Sequence, residues 1–182
     1  NVLINNSKFS YNIGTEASVI YTMGTAQNTV INVTVINSVF KGNTNALKVA
    51  SVTTVDNCTF ENNQGKFIIF SSKIGNYGDN NNLTVINSKF NGNTAAHLVE
   101  SAGDVLYIEN STFNNNNGNG LVYAHNSLQD QSQFSVSPKV YVYDSLFEHN
   151  NVGNGAIYSY VGLENVSSSR FVSNSGLHGV QS

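Results

Sequence analysis

Cleavage of a glycosidic or acyl bond needs titratable groups that converge, so chemistry in this chain would have to rest on its eleven acids and four histidines. The acids stand singly, at Glu16, Asp56, Glu61, Asp79, Glu100, Asp104, Glu109, Asp130, Asp144, Glu148 and Glu164. A glycoside hydrolase sets two carboxyl groups across one bond. A polysaccharide lyase needs a calcium-holding acidic cluster and a base to abstract a proton. Neither pattern is visible along the chain. His97, His125, His149 and His178 lack the close spacing of metal ligands, and Cys58, the single cysteine, has no Cys-x-x-Cys partner. Arg170, the single arginine, is read as solvated. No catalytic residue, metal or cofactor is assigned on this basis.

The 182 residues are 40% hydrophobic, enough for one continuous core, yet only 10% are charged. In place of charge stand 31 asparagines, so amides and hydroxyls must solvate most of the surface. A net charge of −3, with seven lysines and one arginine, offers no basic stripe for phosphates. That argues against nucleic acid as a partner and equally against an acidic membrane surface. No apolar run reaches the ~18 residues of a bilayer span, so direct membrane insertion is not expected. The N-terminus lacks the basic and apolar regions of a signal peptide, as though the chain were processed or excised. One cysteine cannot form an internal disulfide, so compartment must be argued from other features.

Seven phenylalanines set a repeat: Phe9, Phe40, Phe60, Phe90, Phe113, Phe147 and Phe171. Three residues after each comes an asparagine: Asn12, Asn43, Asn63, Asn93, Asn116, Asn150 and Asn174. Two residues before each is a small side chain: Ser7, Ser38, Cys58, Ser88, Ser111, Ser145 and Ser169. Five before, Ile4, Val35, Val55, Val85, Ile108, Val142 and Val166 are all β-branched, which marks a strand. Six before, Leu3, Thr34, Thr54, Thr84, Tyr107, Tyr141 and Asn165 are mostly polar or amphipathic, as an outward face requires.

Strict period-two alternation then puts the residues at minus five and minus three on one inward face. The minus-three positions are Asn6, Asn37, Asn57, Asn87, Asn110, Asp144 and Ser168. Buried amides must be hydrogen-bonded, and coils stacked ~4.8 Å apart allow each to bond its neighbours. The expectation is an inward ladder of Asn6, Asn37, Asn57, Asn87 and Asn110, with Asp144 as a substituted rung. After each phenylalanine turn a further strand follows, as in Gly120-Leu121-Val122-Tyr123 and Gly155-Ala156-Ile157-Tyr158. With no helical periodicity, the expected fold is all-β: a right-handed parallel β-helix of about seven coils, forming one domain over 1–182. Extra length falls near residues 21 to 31, 72 to 83 and 125 to 138, at every second coil. Stacking in register would make these loops a lateral ridge for a partner.

The Phe-x-x-Asn motif and the Gly-Gly-Ala-Ile-like strand, best preserved at Gly155-Ala156-Ile157, resemble the polymorphic outer membrane protein repeats over nearly the whole chain. That resemblance implies a surface-displayed β-helical adhesin. More widely the sequence is similar to the pectin-lyase-like superfold, which hosts polysaccharide lyases and hydrolases as well as tailspikes, and fold alone does not choose among them.

Within the repeat the remaining candidates take definite places. Asp56 and Glu109 share the minus-four phase but stand two coils apart, roughly 10 Å, with Ile86 between them. Tyr107 and Tyr141 share a phase in adjacent coils and Tyr143 lies two residues on. They could form an aromatic platform for a glycan or a neighbouring protein, or simply suit a strand face. Six Asn-x-Ser/Thr sequons begin at Asn5, Asn32, Asn57, Asn82, Asn110 and Asn165. The inward assignment leaves Asn5, Asn32, Asn82 and Asn165 to carry glycans and withholds them from Asn57 and Asn110.

Glycans would keep so uncharged a surface soluble, which favours an extracellular or cell-surface setting. No capping helix is visible at either end, implying a segment of a longer β-helix or a subunit that associates end to end, with copies of itself or adjoining β-helix domains. The reading is a non-enzymatic structural or adhesive glycoprotein, touching glycans or a host or neighbour surface. A polysaccharide lyase or glycoside hydrolase is the alternative, and a non-catalytic glycan-binding module the third.

Overall fold

Each repeat contributes one strand to each of three sheets, and coil stacks on coil. The computed structural model describes residues 1–22, 31–72, 82–125, 138–159 and 162–181. It contains three seven-stranded sheets, parallel at every pairing. The first sheet takes Val2–Asn5, Asn32–Ile36, Val52–Asp56, Asn82–Ile86, Val105–Glu109, Lys139–Tyr143 and Leu163–Ser167. Short strands around the phenylalanines, such as Thr59–Glu61 and Lys89–Asn91, form the second. Longer ones, among them Gln64–Ser71, Thr94–Ser101, Asn117–Ala124 and Asn151–Ser159, form the third. This is a parallel β-helix of seven coils. Among the described residues there is no helix, hence none long and apolar enough to cross a membrane.

The expected columns are in register. Phe40, Phe60, Phe90, Phe113 and Phe147 are fully buried, and the seven rings stack at 4.6–5.1 Å, within the range of offset aromatic pairs. Val35, Val55, Val85, Ile108 and Val142 are buried beside them. The three long insertions connect the third sheet to the first. Their central residues, 23–30, 73–81 and 126–137, lie outside the described residues, and with them the expected lateral ridge.

One expectation is overturned. Asn6, Asn37, Asn57, Asn87, Asn110 and Asp144 do not point inward but are exposed. All six, with Ser168, have positive φ between 45° and 53°. Alternation therefore stops at this position: the left-handed residue turns the chain from the first sheet into the second and swings its own side chain outward. Asparagine is favoured there because its short amide tolerates the left-handed region. Outside, Asn57 donates to Asn37 Oδ1 at 2.8 Å and Asn110 to Asn87 Oδ1 at 2.8 Å, but Asn87 turns to Asp56 Oδ1, so the outer row is interrupted.

The buried ladder is the other asparagine column, three residues after each phenylalanine. Asn43, Asn63, Asn93, Asn116 and Asn150 are buried. Each sends its backbone N–H and one Nδ2 hydrogen to Oδ1 of the next rung, and its other Nδ2 hydrogen to the phenylalanine carbonyl of the preceding coil, as Asn93 does to Asn116 Oδ1 and Phe60 O. The small column forms a second ladder. Ser88, Ser111 and Ser145 each accept a backbone N–H from the preceding coil, and each hydroxyl donates to the carbonyl two residues back.

Candidate functional site

The expected aromatic group lies on the outer face of the first sheet. Tyr107 pairs in register with Tyr141, and Glu109 with Tyr143. All three tyrosines are half-buried, and their rings sit 5.6–6.4 Å apart. Tyr107 is tilted 44° against Tyr141 and 52° against Tyr143, so the three make an uneven cluster rather than one flat stacking surface. The Tyr107 hydroxyl donates to Glu109 Oε2 at 3.1 Å. Desolvation and that carboxylate push its phenol up, which keeps it a hydrogen-bond donor.

Among the sequons, Asn5, Asn32 and Asn165 are exposed and Asn82 is half-buried. Asn57 and Asn110 are exposed as well, contrary to the inward assignment, because the left-handed corner turns them out. Burial therefore gives no ground for excluding them as acceptors. Asp56 and Glu109 stand in register with Ile86 between them, as the spacing requires.

A different cluster brings titratable groups together on the outer face of the third sheet. Glu100 lies in register between Phe70 and Tyr123 on the flanking strands. His97 Nδ1 is 3.0 Å from one Glu100 carboxylate oxygen and His125 Nε2 is 3.0 Å from the other. All three side chains are less than one-fifth exposed. Burial alone would raise the Glu100 pKa, but the hydrogen bonds from His125 and His97 outweigh it and hold the carboxyl at about 2. Tyr123 joins the group, stacking on His97 at 4.1 Å, His125 at 4.9 Å and Tyr158 at 5.1 Å.

Such an arrangement fixes two imidazoles and a phenol ring around one permanent negative charge. It holds a single carboxylate, whereas glycoside hydrolysis by the common route uses two. The imidazole nitrogens nearest Glu100 are committed to it, and among the described residues no three His, Cys, Asp or Glu side chains converge as metal ligands. Sequence spacing missed this group because His97 and Glu100, three residues apart, are met by Tyr123 and His125 from the next coil. Extending the phase argument would have found its centre: Phe70, Glu100 and Tyr123 all stand ten residues after a repeat phenylalanine.

The second titratable group the spacing missed is Glu164. Seven residues before Phe40, Phe60, Phe90, Phe113 and Phe147 the core holds Val33, Thr53, Leu83, Leu106 and Val140, all buried. Glu164 occupies that inward phase in the last coil, in register with Val140. Its Oε1 and the neighbouring Ser159 hydroxyl are buried with no hydrogen-bond partner among the described residues. Burial pushes the carboxyl up to about 7, against a hydrogen bond from the Ser159 backbone that lowers it.

The ladders and sheets define the class, a parallel β-helix solenoid. No protein-family model, no curated protein and no solved structure matches the chain.

Proposed function

We propose that the chain is a non-enzymatic structural or adhesive element of the polymorphic outer membrane protein type, displayed outside the cell. The observation that carries this reading is the continuity of the ladders. Phenylalanine, serine and asparagine columns run in register along the solenoid, so sequence is spent on a stiff rod rather than on one catalytic cleft. A surface of amides and hydroxyls with few charges suits glycosylation and extracellular display.

Polarity of the buried ladder supports self-association end to end or docking to adjoining β-helix coils. Each Oδ1 accepts from the coil before it, so coils that carry asparagine in this phase bond one another in a single sense. The test is display of the chain on a non-adherent cell, with attachment measured against a glycan-coated and a protein-coated surface. Attachment above that of the bare host supports the reading, and polysaccharide cleavage by the purified chain overturns it.

A further inference from the structure

A groove of 440 Å³ runs beside the start of the third sheet, across successive coils. Its rim carries Thr94, Asn117 and Asn151, which stand in register on adjacent strands, with Asn119 on the same wall. All four are exposed. Its floor is bare backbone at Gly118 and Gly153, and a bulge in Asn151–Ser159, where Gly153 and Asn154 together oppose one residue on each flanking strand, swells that strand outward. A Cβ on Gly118 would meet the Ala95 carbonyl at 2.1 Å. Glycine is required there, and the main chain stays open to the groove.

We propose that this groove binds a neutral oligosaccharide lying along the solenoid axis, an inference that rests on the adhesive reading and names its ligand class. Among the described residues no charged side chain lines it, so an anionic polymer finds no counter-charge there. Its only apolar side chains among the described residues are Ala95 and Ala96, too little for a greasy ligand or an aromatic anchor. What it offers is uncharged hydrogen bonding of both signs. Asn151 Nδ2 donates to Asn117 Oδ1 at 3.1 Å, and Ser175 Oγ to Asn151 Oδ1 at 3.0 Å. This orients the amides and leaves the Asn117 amide donors and the whole Asn119 amide for a ligand. Sugar hydroxyls both donate and accept, which matches such a row. The ~4.8 Å step between coils is also close to the length one pyranose adds to an extended chain, so successive rungs meet successive sugars.

The test is calorimetric titration of the intact chain with cellotetraose, xylotetraose, mannotetraose and chitotetraose, with tetragalacturonate as the anionic control. Saturable binding of at least one neutral tetrasaccharide is expected. Asn117→Ala, which removes one exposed amide, should weaken it about fivefold, the worth of one typical net hydrogen bond, and Gly153→Leu, which fills the floor, should abolish it. Lys89→Ala on the second sheet, an exposed position away from the groove, should leave it unchanged. Circular dichroism of each variant establishes that the β-fold is retained. Failure of every neutral sugar, binding of tetragalacturonate alone, or binding indifferent to both groove variants would overturn the proposal. Cell attachment that persists without sugar binding would sink the groove and leave the adhesive reading standing. Cleavage of a groove-bound sugar would do the reverse.

Discussion

Asn63 gives its backbone N–H and its side-chain Nδ2 to a single atom, Asn93 Oδ1, at 2.9 and 3.0 Å. One buried oxygen thus ties two coils at two points, while Asn93 Nδ2 closes a third bond to the Phe60 carbonyl.

Replacing Asn93 by leucine strips partners from two buried donors on Asn63 and one buried acceptor on Phe60. At about 1–3 kcal/mol for each unmatched group, the loss should be on the order of 3–5 kcal/mol. Asn87→Ala removes an exposed amide of equal size and should cost about 1 kcal/mol, chiefly from its left-handed backbone. Urea unfolding of the two variants checks the ranking. Equal losses would mean that the buried column does not carry the stack.

Glu100 predicts an acid-sensitive third sheet. Its folded pKa of about 2 lies below the ordinary glutamate value of 4.5. The stabilisation is therefore present above pH ~4.5 and is lost as pH falls toward 2. The bracketing histidines make it worth about 2–3 kcal/mol. Unfolding midpoints of the native chain and Glu100→Gln, measured from pH 6 to 2, should converge on acidification. Parallel curves would show that the His97 and His125 bonds contribute no such linkage.

The repeat was legible in the sequence because Phe40, Phe60, Phe90 and their kin recur at one phase, and the β-branched residues five before them do too. Which asparagine column was buried was not legible from period-two counting. A single left-handed residue such as Asn57 (φ 49°) turns the chain and resets the alternation, and residues before and after it obey different parities. The Glu100 cluster stayed hidden for another reason. His125 reaches it from the next coil, a proximity set by stacking and not by spacing along the chain.

His149 stands two residues after Phe147 at φ 54°, where Gly42, Gly92, Asn62 and Asn115 occupy equivalent corners of other coils. Histidine is less at ease in this region than asparagine or glycine. The side chain is exposed, so nothing is lost from the core by changing it. His149→Asn should raise stability by about 0.5–1 kcal/mol, read as a higher thermal midpoint. No gain would indicate that the imidazole makes compensating surface contacts.

Glu164 reverses the sign of the Glu100 effect. Its carboxyl lies in the inward phase above Val140, and burial lifts its folded pKa to about 7 from 4.5. The folded state therefore binds the proton more tightly. The contribution is fully present below pH ~4.5 and is lost as pH rises through 7, where ionisation leaves a carboxylate facing the apolar column. Screening at this partly exposed position reduces the effect to on the order of 1 kcal/mol. Hydrogen exchange of the amides in Leu163–Ser167, corrected for intrinsic rates, should accelerate between pH 5 and 8 in the native chain. It should become pH-independent in Glu164→Leu, which restores the aliphatic column. An identical acceleration in both would assign the effect to another group, and faster exchange in Glu164→Leu at every pH would mean that the carboxyl side chain is needed to pack that coil.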